Sequence, residues 1–137
     1  MKKYFKKNLA ALSEIFDFIQ SFCAANKLDE EVKFKIEMVV EELFTNIVKY
    51  NKRHEDQVCI ALSLNAPSLR IQIIDFDSDE FNLTEVPEYD TQAPIDDRPI
   101  GKIGIHLIKK LMDEVEYTYE NRISTITLTK NLEETNA

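Results

Sequence analysis

The chain has 137 residues, of which 44% are hydrophobic and 31% charged, with a formal net charge of −8. This length and composition predict one globular domain spanning residues 1–137. The negative net charge argues against a nucleic-acid partner, because nucleic-acid binding depends on cationic contacts to phosphate. No apolar run is long enough to span a membrane. The N-terminus has no signal-peptide core, so the cytoplasm is the expected location.

The N-terminal part of the chain predicts a short strand followed by two amphipathic helices. Residues 3–7 alternate weakly, which favours an edge strand. We expect the lysines of this segment to form a solvated edge; they are Lys2, Lys3, Lys6 and Lys7. Apolar residues at helical spacing from about Leu9 to Asn26 predict the first helix. Asp29 is placed to cap a second helix that ends near Tyr50, with acidic residues in its first turn.

The rest of the chain predicts two β-hairpins, separated by an irregular segment and a third helix. Strands are expected at Val58–Leu64, Leu69–Asp75, Val115–Tyr119 and Ile123–Leu128. Residues 76–99 contain three prolines, many carboxylates and no hydrophobic period, and we interpret them as a lid. The helix is expected from Ile105 to Met112. This order predicts an α+β fold, a two-layer sandwich of a mostly antiparallel sheet with helices on one face.

Cysteines and histidines do not indicate a metal site. Cys23 lies in a helical apolar pattern and Cys59 in a strand, so two buried thiols are expected and no disulfide. His54 and His106 are isolated in the sequence, and structural roles are expected for both. The acidic run after Asp75 lacks the glycine and the glutamate that an EF-hand loop requires.

Two polar residues interrupt the apolar side of the second helix. On a helical wheel Asn46 falls between Val39 and Leu43, at the border of the apolar stripe, and Glu42 lies one turn earlier on the same side. An amide at the edge of a core needs a partner, because burying an unpaired polar group costs free energy. A bound ligand or hydrated ion would supply that partner. The alternative is a structural asparagine beside an ordinary surface glutamate.

Further polar features lie at the ends of other predicted elements. Asp75 ends a strand, where a carboxylate can accept a hydrogen bond from an exocyclic amine such as that of adenine. Gly101 and Gly104 open a helix whose free N–H groups suit phosphate, and Arg98 and Lys102 add positive charge. An asparagine oxygen can join a Mg²⁺ shell. Together these features predict a nucleotide site, although each alone is also compatible with a turn or with packing.

These motifs resemble, in order and over nearly the whole chain, the GHKL ATPases, and specifically the small anti-sigma-factor serine kinases with a histidine-kinase-like ATPase domain. The stretch Glu42–Asn46 resembles the family's N-box, Glu-x-x-x-Asn. Asp75 is similar to the adenine-recognising aspartate of the first glycine box. Residues 100–117 resemble the second glycine box with the helix that follows it, and Ser124–Thr125 resembles the Gly-Thr-Thr of the final strand.

The resemblance implies a role for each of these residues. ATP and Mg²⁺ would be the cofactors, with Asn46 holding the metal, Glu42 acting as general base, Asp75 recognising adenine and Thr125 placing a hydroxyl nearby. The nucleotide would also be bound by Arg98, Gly101, Lys102 and Gly104. Such a protein phosphorylates a serine on an anti-anti-sigma (STAS-type) partner and sequesters a sigma factor. The strand at Lys2–Lys7 would form the edge of a homodimer.

Four positions depart from the family pattern. Asp77 replaces the glycine of Asp-x-Gly, Lys102 stands at a position that is often glycine, Ile123 replaces the glycine of the last strand, and Tyr50 stands where histidine is common. A side chain at position 77 would crowd the base, and its charge would oppose phosphate. The alternative function is therefore a degenerate GHKL domain that acts only as a protein-binding regulator.

Overall fold

The structure, a computed structural model, describes residues 1–50, 57–76 and 102–132. Within these ranges one antiparallel sheet is formed by the strands β1 Lys2–Lys6, β2 Gln57–Asn65, β3 Ser68–Asp75, β4 Glu114–Glu120 and β5 Ile123–Asn131. Their spatial order is β1-β2-β3-β5-β4, so β1 and β4 are the edges. Both predicted hairpins are confirmed, because β2 pairs with β3 and β4 pairs with β5.

In the same part of the chain, helices pack against one face of this sheet. They are α1 Leu12–Ala25, α2 Glu30–Tyr50 and α3 Lys102–Leu111. One hydrophobic core joins the helices to the strands and includes Ile15, Ile19, Val39, Phe44, Ile60, Ile73, Ile108 and Leu128. The predicted α+β sandwich is confirmed. Among the described helices, none is both long and apolar enough to cross a membrane.

Alternation along the central strands decides which side chains face the helices. Successive residues of a strand point to opposite faces, and the buried row comprises Val58, Ile60 and Leu62 on β2 and Leu69, Ile71 and Ile73 on β3. Asp75 continues the row of β3, so its carboxylate enters the helix-covered side of the sheet. Cys59 belongs to the outward row and is nevertheless buried. Its register neighbours are Tyr4 and Ile74.

Capping side chains begin α2 and the 3₁₀ turn that precedes α1. The Val32 backbone N–H donates to Asp29 Oδ1 at 2.9 Å, which confirms the predicted cap of α2. The first helix begins later than expected, because a 3₁₀ turn at Leu9–Ala11 precedes α1. Asn8 starts that turn, and its Oδ1 accepts a hydrogen bond from the Ala10 N–H at 2.8 Å.

Removing the cap of α2 is expected to destabilise the protein measurably. Asp29→Ala leaves the Val32 N–H without its acceptor and should lower the free energy of unfolding by about 1 kcal/mol. Urea denaturation followed by far-UV circular dichroism measures the change. Asp17→Ala, at an exposed interior position of α1, is the control and should be neutral or slightly stabilising, because alanine has the higher helix propensity. Equal losses in both variants would contradict the capping role.

The turn between β4 and β5 follows the rule for tight hairpins. Asn121 and Arg122 have φ values of 52° and 65°. A two-residue loop with both residues in the left-handed region matches the right-handed twist of the flanking strands. The predicted turn at these two residues is confirmed.

Both cysteines are buried free thiols, as predicted. Burial, together with the nearby Glu37 carboxylate, raises the pKa of Cys23 to about 11, and burial also raises the pKa of Cys59. A raised pKa leaves less reactive thiolate at pH 8.

Thiol–disulfide exchange with Ellman's reagent should report this protection directly. We expect no reaction of the folded protein with Ellman's reagent at pH 8, and reaction of both thiols once the chain is unfolded in urea. Reactivity of the folded protein should rise only as the pH approaches the raised pKa of Cys23. Rapid labelling of the folded protein at pH 8 would show that these thiols are accessible after all.

Candidate functional site

The polar pair of α2 lies at the edge of the core, where the helical pattern predicts it. Glu42 and Asn46 are one turn apart, and both side chains are half-buried. The neighbouring apolar residues Val39 and Leu43 are buried, whereas Glu41 is exposed. The two polar side chains therefore stand together on the margin between core and solvent.

A groove of about 260 Å³ lies between α2 and α3, and Glu42 lines it. Other side chains along the groove come from both helices and include Met38, Thr45, Leu107, Ile108 and Leu111. A carboxylate on such a groove can accept a proton from a hydroxyl group that enters it. Asn46 lies one turn further along α2.

Asp75 lies beside a serine hydroxyl at the end of β3. The strand register places Ser124 of β5 directly opposite Asp75, and both residues are buried. Thr125 pairs with Ile74 and so belongs to the other face of the sheet, because successive strand residues alternate. The structure therefore brings Ser124, and not Thr125, to the face that carries Asp75. Sequence reasoning missed this distinction, which the parity of β5 decides.

Asp75 forms a buried ion pair with Lys7, the residue that follows β1. Phe5 is opposite Val58, and Val58 is opposite Asp75, so these three side chains form one row on the covered face. Lys7 has the same parity as Phe5 and reaches the end of this row. The prediction of a solvated lysine edge is wrong for Lys7, because its ammonium compensates a carboxylate that water does not reach. Lys7 follows the apolar residue Phe5 by two positions, so strand alternation places both on the same face. This spacing could have predicted the burial of Lys7.

The phosphate-binding candidates lie only partly within the described ranges. Lys102 and Gly104 fall in the first turn of α3, whose N-terminal N–H groups suit an anion. Arg98 and Gly101 lie outside the described residues. So do Asp77 and, apart from Phe76, the segment predicted to be a lid.

The donor chemistry of these residues fits a nucleotide carrying Mg²⁺. In the described part of the chain, no group of three or more histidine, cysteine or acidic side chains is gathered to hold a metal. Magnesium does not need such a cage, since it usually keeps several waters and binds one or two protein oxygens together with phosphates. Asn46 and Glu42 provide oxygens of that kind at the edge of the core.

Comparison with known proteins identifies the family to which this domain belongs. The family described as Histidine kinase-like ATPase domain matches residues 5–130. The proteins named Serine-protein kinase RsbW from Bacillus cereus (strain AH187) and Bacillus anthracis (strain CDC 684 / NRRL 3495) are each 25% identical over 103 residues. Each alignment covers 72% of this chain and 63% of the relative. The chain thus spans less than two thirds of the length of these curated relatives.

Solved structures share the fold at lower sequence identity. A chain of the SiaB–SiaC complex from Pseudomonas aeruginosa superposes with a TM-score of 0.68 at 14% identity, over 95% of this chain and 87% of that one. The structure of the RsbU and RsbW domains of Rv1364c from Mycobacterium tuberculosis gives a TM-score of 0.66 at 14% identity, over 96% of this chain and 32% of that one. These similarities establish the architecture.

Proposed function

This chain belongs to the histidine kinase-like ATPase domain family, and from that premise we propose that it is a protein serine kinase of the anti-sigma type. It would use ATP and Mg²⁺, phosphorylate a serine of an anti-anti-sigma (STAS-type) partner and sequester a sigma factor. The relatives named serine-protein kinase support the activity. The observation that carries the proposal is the half-buried pair Glu42 and Asn46, with Glu42 facing the groove between α2 and α3.

The nucleotide would contact residues from three elements. Asp75 would accept a hydrogen bond from the exocyclic amine of adenine, with the Ser124 hydroxyl on the neighbouring strand. The free N–H groups at the start of α3 suit phosphate oxygens, because a helix N-terminus carries partial positive charge. The glycines proposed to let phosphate approach there are Gly101 and Gly104, and the proposed cationic contacts are Arg98 and Lys102.

Phosphoryl transfer in this site would depend on positioning and electrostatics. When bound, Mg²⁺ neutralises the negative charge that the phosphoryl group carries. The Asn46 side-chain oxygen would hold the metal, and one turn away the Glu42 carboxylate would accept the proton of the partner's serine hydroxyl. The serine oxygen then forms its bond to the γ-phosphorus while the bond to the ADP oxygen breaks. Glu42 keeps the proton.

Isothermal titration with Mg-ATP tests the proposal. We expect saturable binding that is lost in Asn46→Ala, because the metal loses its protein ligand. Asn65→Ala is the matched control, since Asn65 is exposed at the end of β2 remote from Asp75 in the hairpin register, and it should bind as the wild type does. If Asn46→Ala still binds Mg-ATP as the wild type does, Asn46 is not the metal ligand.

A second candidate function is a protein-binding regulator that does not bind nucleotide. The ion pair between Lys7 and Asp75 favours it, because the carboxylate proposed to recognise the base already has a cationic partner inside the protein. Asp77 in place of the family glycine favours it as well. The absence of any heat of binding at millimolar Mg-ATP would support this function over the kinase.

The proposed homodimer rests on the edge position of β1. An edge strand carries backbone N–H and C=O groups that a second strand can pair with. Light scattering coupled to gel filtration measures the mass in solution, and a mass of one chain at all concentrations would exclude the dimer.

A further inference from the structure

Lys7 occupies the position beside Asp75 that the proposed function reserves for the nucleotide base. The Lys7 side chain is 0% exposed and that of Asp75 is 2% exposed, so the intact pair offers almost no carboxylate surface to a ligand. We propose that Lys7 is an internal competitor of the base, which can bind Asp75 only after the Lys7 ammonium has left it. The inference rests on the proposed function, because it assigns Asp75 to base recognition.

The backbone around Lys7 is held in place by the turn that follows β1. The Asn8 N–H donates to the Lys6 carbonyl at 2.8 Å, and the Ala11 N–H donates to the Asn8 carbonyl at 2.9 Å. The Asn8 side chain caps the 3₁₀ turn. Lys7 can therefore leave Asp75 by rotation of its four-carbon side chain, while β1 stays paired with β2.

The competition is between two hydrogen-bond donors for one buried carboxylate, which has almost no surface left beside Lys7. The ammonium of Lys7 is charged, and its bond to the Asp75 carboxylate is stronger than the bond a neutral exocyclic amine can form. The observed affinity for a base is reduced by the fraction of molecules in which the carboxylate is available. Lys7 therefore lowers the affinity of the protein for adenine nucleotides.

The same competition reduces selectivity between purines. Asp75 distinguishes a 6-amino purine from a 6-oxo purine, because a carboxylate accepts from the amine and has no donor for the oxo group. While Lys7 holds the carboxylate, this discrimination is masked. Removing the ammonium should therefore improve the binding of ATP and leave the binding of ITP, its 6-oxo analogue, without any gain.

Titration of Mg-ATP and Mg-ITP into the wild type, Lys7→Met and Lys6→Met tests the inference. Methionine keeps an unbranched apolar chain and removes the charge. We expect Lys7→Met to lower the dissociation constant for ATP by about tenfold or more, with no corresponding gain for ITP. Lys6 is exposed on the opposite face of β1, so Lys6→Met is the matched control and should behave as the wild type.

Each outcome decides between distinct conclusions. The inference is overturned if Lys7→Met gains equal affinity for ATP and ITP, gains affinity for neither, or binds ATP more weakly than the wild type. In each of these cases, binding of ATP by the wild-type protein would leave the proposed function standing. If Lys7→Met is the only variant that binds ATP, the result supports both the proposed function and the inference about Lys7. If no variant binds ATP or ITP, the proposed function fails, and the assignment of Lys7 fails with it.

A second variant covers the case in which Lys7→Met does not fold. Lys7→Gln is neutral and can still donate one hydrogen bond to Asp75, so the carboxylate keeps a partner. We expect it to fold and to bind ATP more tightly than the wild type does. The ATP-induced rise in melting temperature should be larger in Lys7→Gln than in Lys6→Gln, and an equal rise in both variants would overturn the inference.

Discussion

Glu42→Gln is expected to lower the rate of phosphoryl transfer by about 10²–10⁴-fold while leaving Mg-ATP binding in place. Glutamine keeps the size and the polarity of the side chain, but it cannot accept the proton that the attacking serine must lose. The proposed general base is thereby removed and the proposed metal ligand Asn46 is retained. Transfer of labelled γ-phosphate to the partner protein captured from native cells measures the rate, and titration measures the binding.

The control for this substitution is Glu14→Gln, an identical change at an exposed position of α1. It should leave both transfer and binding at wild-type levels. If Glu42→Gln transfers phosphate as fast as the wild type, Glu42 is not the base. If instead it loses nucleotide binding together with activity, Glu42 contributes to holding the ligand.

Asp75→Asn should be the most destabilising of the substitutions proposed. The change removes the negative charge that Asp75 places against the buried Lys7 ammonium, and breaking a buried pair in this way costs about 3–5 kcal/mol. Urea denaturation followed by circular dichroism measures the loss. Glu31→Gln, which breaks an exposed ion pair with Lys35 on α2, is the control and should cost less than about 0.5 kcal/mol.

The double variant Lys7→Met/Asp75→Leu separates lost pairing from lost packing. It replaces both charges with apolar side chains, and such replacements are often neutral or stabilising. We therefore expect it to recover most of the stability that Asp75→Asn loses. If the double variant is as unstable as Asp75→Asn, the lost stability comes from the altered packing of the site and not from the broken ion pair. If Asp75→Asn is as stable as the wild type, the pair is not buried in solution.

Features that depend on neighbouring residues were predictable from the sequence. The Asp29 cap joins two atoms three residues apart, and the turn at Asn121 and Arg122 needs only the conformations of those two residues. The half-burial of Glu42 and Asn46 follows from the 3.6-residue period of one helix. The antiparallel pairing of each hairpin likewise follows from the short turn between its strands.

Features that depend on the meeting of distant segments were not predictable. Whether Ser124 or Thr125 faces Asp75 depends on the register between β3 and β5, and a shift of one residue would exchange them. The burial of Lys7 depends on β1 lying beside β2, which carries the end of its inward row to Asp75. In isolation a lysine among lysines predicts solvent exposure, because nothing nearby in the chain offers it a buried carboxylate.

By itself the sequence determined the order of helices and strands, the cap of α2 and the family motifs, because backbone geometry and hydrophobic period act over a few residues. Only the tertiary structure decided which charges meet. An isolated ion is expensive to bury, so the environment of Asp75 depends on the Lys7 ammonium that the packed sheet brings to it.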